Sequence, residues 1–260
     1  MRKNRLLALY TFLVFLFLLF PLLIVAITAF GEADIVQFPI QGFTFKWFSK
    51  ALQSESFMKS CFFSLKLALE ATLLALLVGI PGAYALARYT VRGKEIIKSF
   101  FLSPTIVPGT VLGFALFQVI VVKLRIPYNL GLLFGHFLVT LPYVIRIVGS
   151  SLEQFDFSIE EAAWTLGCGK IATFFKIVLP NITSGISSAF LLAFINSFNN
   201  VPVSMFLVGP GTTTLPTTLM GYLESGFDPT VPAFSCLMML ATIGIMFVVE
   251  KTLGIAALSK

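Results

Sequence analysis

The residues with the clearest chemical pattern are Ser158, Glu160, Glu161, Ala162, Ala163 and Gly167, followed by Ile177, Leu179 and Pro180. Their chemistry is that of seating a helix rather than of making or breaking bonds. Ser158 with Glu161 three residues on reads as a capping box, in which a hydroxyl and a carboxylate satisfy each other's backbone N–H groups at a helix start. Behind it, Ile159, Ala162, Ala163 and Leu166 recur at helical spacing and give a small-residue face that another element can approach closely. Gly167 and Gly169 supply turn positions, Lys170 to Leu179 restarts as an amphipathic helix, and Pro180 ends it. Two accounts fit this pattern from the residues alone: a docking element for another protein, or an amphipathic helix lying in a membrane interface.

A second group is Asn196, Ser197, Asn199 and Asn200, with Ser204 after Pro202. Amides and hydroxyls crowded beside a helix breaker inside an apolar run call for a hydrated cavity, so these five are candidates for lining a path for a polar solute. Lys66, Glu70, Tyr143 and Arg146 are further polar residues at membrane depth. Lys66 and Glu70 can pair across one helical turn, and Arg146 can snorkel. His136 is the sole histidine and Cys61, Cys168 and Cys236 are far apart, so neither a metal site nor a catalytic triad is expected.

The elements that must position these groups are membrane spans. Of the 260 residues 57% are hydrophobic and only 12% charged, with 29 phenylalanines and a mean hydropathy of +0.95, which leaves a soluble fold no surface to hydrate. The net charge of +6 resides in lysines and arginines beside the apolar runs and signals topology rather than nucleic acid. The reading is an all-α polytopic membrane protein, one transmembrane domain over residues 1–260. Its six spans are expected at about 6–30, 60–87, 100–122, 130–151, 182–208 and 231–249. The Gly79-Ile80-Pro81-Gly82 run is expected to kink the second span, and 88–98 to form a short basic turn. Arg2, Lys3, Arg5, Arg88, Arg92, Lys94, Lys98, Lys170, Lys176, Lys251 and Lys260 outnumber Lys46, Lys50, Lys59, Lys123 and Arg125 on the other side. The bias puts both termini and the polar loop 152–181 in the cytoplasm.

The spacing Glu161-Ala162-Ala163, three residues, Gly167, nine residues, Ile177, one residue, Leu179-Pro180 resembles the EAA loop of permease subunits of binding-protein-dependent ABC importers of type I. The likeness extends to Ser103-Pro104-Thr105-Ile106-Val107-Pro108-Gly109 and to the tail from Phe198 to Pro229. Within that family the chain looks most like permeases of the polyamine (spermidine and putrescine) type, through 197–204, Gly209-Pro210 and Leu215-Pro216. Importers of phosphonate and ferric iron are near relatives. The resemblance implies a bacterial inner-membrane subunit with a cytoplasmic coupling helix between spans four and five. Glu160, Glu161, Ala162, Ala163, Gly167, Ile177, Leu179 and Pro180 would meet a cytoplasmic ATPase. The implied partners are two ATPase subunits, a second and distinct permease subunit, and an extracytoplasmic solute-binding protein docking on 31–59 and 209–229. ATP and Mg would sit on the ATPase subunits, and this chain would bind no cofactor. It carries no G-x-x-x-x-G-K-[ST] phosphate loop of its own. The rival readings are an ATP-independent secondary transporter, disfavoured by the lack of repeats and of coupling acids, and an intramembrane enzyme, for which no nucleophile and base pair is present.

Overall fold

A computed structural model describes residues 5–90, 92–226 and 228–253. Among them there is no β-strand. The helices are α1 (Arg5–Thr28), α2 (Lys46–Gln53), α3 (Glu55–Arg88), α4 (Lys94–Leu102), α5 (Gly109–Leu116), α6 (Tyr128–Glu153), α7 (Ser158–Thr165), α8 (Lys170–Thr173), α9 (Leu179–Asn181), α10 (Thr183–Phe198), α11 (Val201–Leu207), α12 (Leu215–Ser225) and α13 (Thr230–Leu253). Arg2, Lys3 and Lys260, counted above for topology, lie outside the described residues.

Among the described residues three helices are long and apolar enough to cross a membrane: Leu7–Thr28, Glu55–Arg88 and Tyr128–Glu153. Two further candidates are bent pairs, so the count reaches five if each pair is one span, and Thr230–Gly244 is a shorter apolar helix. The bends correct two expected boundaries. Lys94–Thr105 meets Gly109–Lys123 at 94°, because Pro104 and Pro108 deny the chain its helical N–H donors there. The expected start of the third span at 100 therefore falls inside α4, before the bend, and the expected basic turn is half helix, since α4 begins at Lys94. Likewise Lys170–Asn181 meets Thr183–Phe198 at 73°, and the apolar run to 208 is broken at Asn199–Asn200. Pro81, by contrast, leaves α3 a single helix of 34 residues.

The chain divides into two compact units. Residues 1–59 and 218–247 form the first. Ala29, Trp47 and Ala233 make its small core, and Trp47 donates its indole N–H to the Gly31 carbonyl at 2.7 Å. Phe57 stacks against Phe234 and Tyr222, with ring centres 5.0 and 5.2 Å apart. Lys50 donates to the Asp228 carboxylate at 2.6 Å, joined there by the Tyr222 hydroxyl at 3.1 Å and the Thr230 amide at 3.0 Å. Burial pushes the Asp228 carboxyl up, but these donors outweigh it and hold it below its usual range, and the same contact raises Lys50. Most of α1 stays exposed, as a span facing lipid or another subunit would be.

The second unit, 60–217 and 248–260, holds the larger core. Ala75, Ala83 and Leu86 of α3, Leu141, Val144, Ile145, Val148 and Leu152 of α6, and Ala189 and Ala193 of α10 pack together with Val178 and Ile182. Small residues let these helices come close: a side chain on Gly79 would strike Val144.

Candidate functional site

The polar loop after α6 is held to the helical core by one buried carboxylate. Glu160 is fully buried, and its oxygens take the Arg88 Nε donor at 2.9 Å and the Tyr84 hydroxyl. Arg88 reaches on with Nη2 to Glu161, also at 2.9 Å. The guanidinium lies over the rings of Trp164 and Phe157, 5.1 and 5.4 Å from their centres, and Lys170 lies over Trp164 from elsewhere at 5.5 Å. Arg88 is the last residue of α3, where a cation also meets the negative end of the helix dipole. The motif thus has two faces. Glu160 and Ala163 point inward, whereas Ile159, Ala162 and Leu166, at helical spacings of three and four, are exposed, Leu166 at 88%.

Local geometry revises the expected capping. Ser158 is already the first helical residue and its side chain caps nothing; instead Asp156 accepts the Ser158 amide at 3.0 Å. That bond holds the Asp156 carboxyl below its ordinary range. Nor does Glu161 turn back to Ser158, because Arg88 engages it. At the other end Gly167 adopts φ +87°, and Cys168 donates to the Ala163 carbonyl at 3.0 Å, closing α7 with a left-handed cap. No neighbour lies near a Cβ at Gly167, so backbone conformation alone asks for glycine there. Gly169 is extended (φ −68°, ψ 150°) and makes no such demand. Beyond it, α8, a π-helical turn over Phe174–Val178, and α9 run on continuously, so the helix ends after Pro180, at Ile182. Ile177 accepts the Asn181 side-chain amide at 2.7 Å, Ile177 and Leu179 are half-buried, and Pro180 is exposed.

The five candidate path residues are placed unequally. Ser197 and Ser204 are buried and face the two ring nitrogens of His136, with Nδ1 2.8 Å from Ser197 Oγ and Nε2 3.0 Å from Ser204 Oγ. Asn200 caps α11 by accepting the Val203 amide at 3.0 Å. Asn196 donates to the Tyr143 hydroxyl at 3.1 Å, leaving its own Oδ1 buried without a partner, and Asn199 is exposed. His136 is the residue that sequence reasoning passed over. A lone histidine suggested no site, yet it fastens both arms of the broken helix α10–α11 to α6. Glycines complete the seat: a Cβ on Gly113 of α5 would come within 2.5 Å of the Pro202 carbonyl, and one on Gly135 of α6 within 2.5 Å of Leu207. Lys66 and Glu70 pair at 3.8 Å on α3, along a groove of about 770 Å³ that reaches Asn129 and Leu133 of α6.

Residues 75–251 match the family described as binding-protein-dependent transport system inner membrane component. The chain is 30% identical over 235 residues to the spermidine/putrescine transport system permease protein PotC of Escherichia coli K12, covering 88% of this chain and 87% of that one. It is 31% identical over 239 residues to the putrescine transport system permease protein PotI of the same organism, covering 89% and 84%. Among solved structures, a bacterial ABC transporter that imports alginate aligns with TM-score 0.73 at 18% identity, over 97% of this chain and 98% of its counterpart. With the family matched across more than half its length and relatives spanning most of the rest, the chain belongs to the inner-membrane components of binding-protein-dependent transport systems.

Proposed function

We propose that this chain is one permease subunit of an ATP-driven ABC importer for polyamines or a similar small polar solute. The reading adds a second, distinct permease subunit, two ATPase subunits that bind the ATP and Mg, and an extracytoplasmic binding protein meeting 31–59 and 209–229. Six spans, with both termini and 152–181 cytoplasmic, fit the bent pairs taken as single crossings and α13 taken as the last. The kinship with PotC and PotI supports the polyamine assignment.

The observation that carries the coupling assignment is the two-faced helix α7. An exposed edge of Ile159, Ala162 and Leu166 suits a groove on a partner, while Glu160 ties the same helix to Arg88 of α3 and Ala163 is buried on its inner face. Force applied to α7 by an ATPase then reaches α3 through Arg88 without slack. Gly167 sets the angle of the turn, and Ile177, Leu179 and Pro180 belong to the return limb, which Val178 seats in the core. The test is reconstitution of the whole complex with its binding protein in proteoliposomes. ATP-dependent spermidine or putrescine uptake is expected, with Ala162→Trp and Gly167→Pro losing uptake while ATP hydrolysis persists. Undiminished uptake in both variants would refute the coupling role, and uptake without ATP would establish the secondary-transporter alternative.

A further inference from the structure

One face of α6 differs from the rest of that helix. Tyr143, Arg146, Ser150 and Glu153 recur at intervals of three and four and so share one stripe, with Tyr143 half-buried and the other three exposed. Between these positions Val144, Ile145, Val148 and Leu152 of the same helix face the apolar core. Arg146 lies seven residues before the end of α6, about 10 Å at the helical rise. It has no ion pair among the described residues, whereas its neighbour Glu153 is held by Lys98 of α4 at 3.3 Å. Arg146, Gly149, Ser150 and Glu153 line a cavity of about 230 Å³ together with Lys98. Above it Tyr143 meets Asn196 of α10, whose Oδ1 is buried and unpartnered. A polar stripe that contains a guanidinium without an ion pair among the described residues is costly against hydrocarbon and makes sense facing water.

We propose that Tyr143, Arg146, Ser150 and Glu153 line a hydrated lane opening at the end of α6 that leads into α7, and that Arg146 is an electrostatic filter in it. The Tyr143 hydroxyl, which already takes the Asn196 side-chain amide, can accept an N–H donor from a passing alkylammonium. Arg146, the next group toward the mouth, raises the energy of a cation passing it in either direction, so it lowers cation occupancy beside it and weakens the hold of the lane on a cation. That a cation leaves through this mouth rests on the importer reading above; the lane and its charge filter do not.

The test uses the assembled complex in proteoliposomes, with the unsubstituted chain giving the background from its native cysteines. Arg146→Cys and Ser150→Cys should react with a membrane-impermeant thiol reagent added on the α7 side, and Phe134→Cys, exposed on another face of α6, should not. At Tyr143→Cys, beyond the filter, a cationic reagent should react several-fold more slowly than a neutral one of the same size. Adding Arg146→Gln should erase that difference, and Arg146→Lys should keep it. Silence at both 146 and 150 would put the stripe against lipid or another subunit and overturn the lane. An unchanged reagent ratio in Arg146→Gln would overturn the filter. Labelling as expected in a complex that takes up no polyamine on ATP would uphold the lane and refute the importer reading alone.

Discussion

Glu160 shows how much one buried carboxylate can decide. Removing it takes the acceptor from the Tyr84 hydroxyl and from Arg88 Nε, and leaves the one-fifth-exposed guanidinium with Glu161 as its remaining carboxylate. Glu160→Ala should cost about 3 kcal/mol, the low end for a broken buried pair because Arg88 keeps some access to water. It should be read as a lowered thermal midpoint of the purified complex, together with loss of coupling. Glu161→Gln removes a partner that is more than half exposed and should leave the midpoint almost unchanged. His136→Ala orphans the Ser197 and Ser204 hydroxyls, at about 1–3 kcal/mol. At this scale the sequence was only half legible. The motif's spacing marked the loop, but which of two adjacent glutamates turns inward depends on where α3 ends, 72 residues away in the chain. The pairing of His136 with serines 61 and 68 residues on was equally beyond local reading.

Among the elements, α11 is the most tightly constrained. Seven residues long, it is fixed by the Asn200 cap, the His136 contact and glycines on two neighbouring helices. Gly113→Ala must push the Pro202 carbonyl aside and should destabilise by about 1–3 kcal/mol, visible in a thermal shift assay. In the other unit, the tie from α2 to the segment before α13 responds to pH. Asp228 titrates below its unfolded value, so its contribution is present above about pH 4 and is lost as pH falls through the lower folded value. Lys50 titrates above its unfolded value, so its share is lost only when pH climbs past 10.5. Protease sensitivity of the segment 209–229, which contains α12, should therefore be flat from about pH 5 to 10 in the native chain. Asp228→Asn should raise it throughout. Long uniform helices such as α1 and α6 were plain from hydropathy. The bends were not, because an apolar run reads alike whether or not prolines and amides interrupt its hydrogen bonds.

For the whole molecule, the all-helical class and the multiple apolar segments followed from composition, and the family from one loop whose spacing is specific. The division into two units did not, since residues 218–247 join the first 59 across most of the chain. Extraction of tagged chain from its native membrane in mild detergent should bring with it an ATPase subunit and a second permease. Recovery of this chain alone, under conditions that preserve other membrane complexes, would contradict the proposed assembly.

The outward edge of α7 also bears on how the cell must make this protein. Leu166 is almost wholly exposed among the described residues. A subunit synthesised without its companions therefore carries a sticky, unclaimed surface of the sort that housekeeping proteases recognise. Its lifetime in the membrane should depend on the supply of the ATPase, so that depleting the latter shortens the half-life of this chain in a pulse-chase experiment. Leu166→Ser should lengthen the survival of the unassembled form.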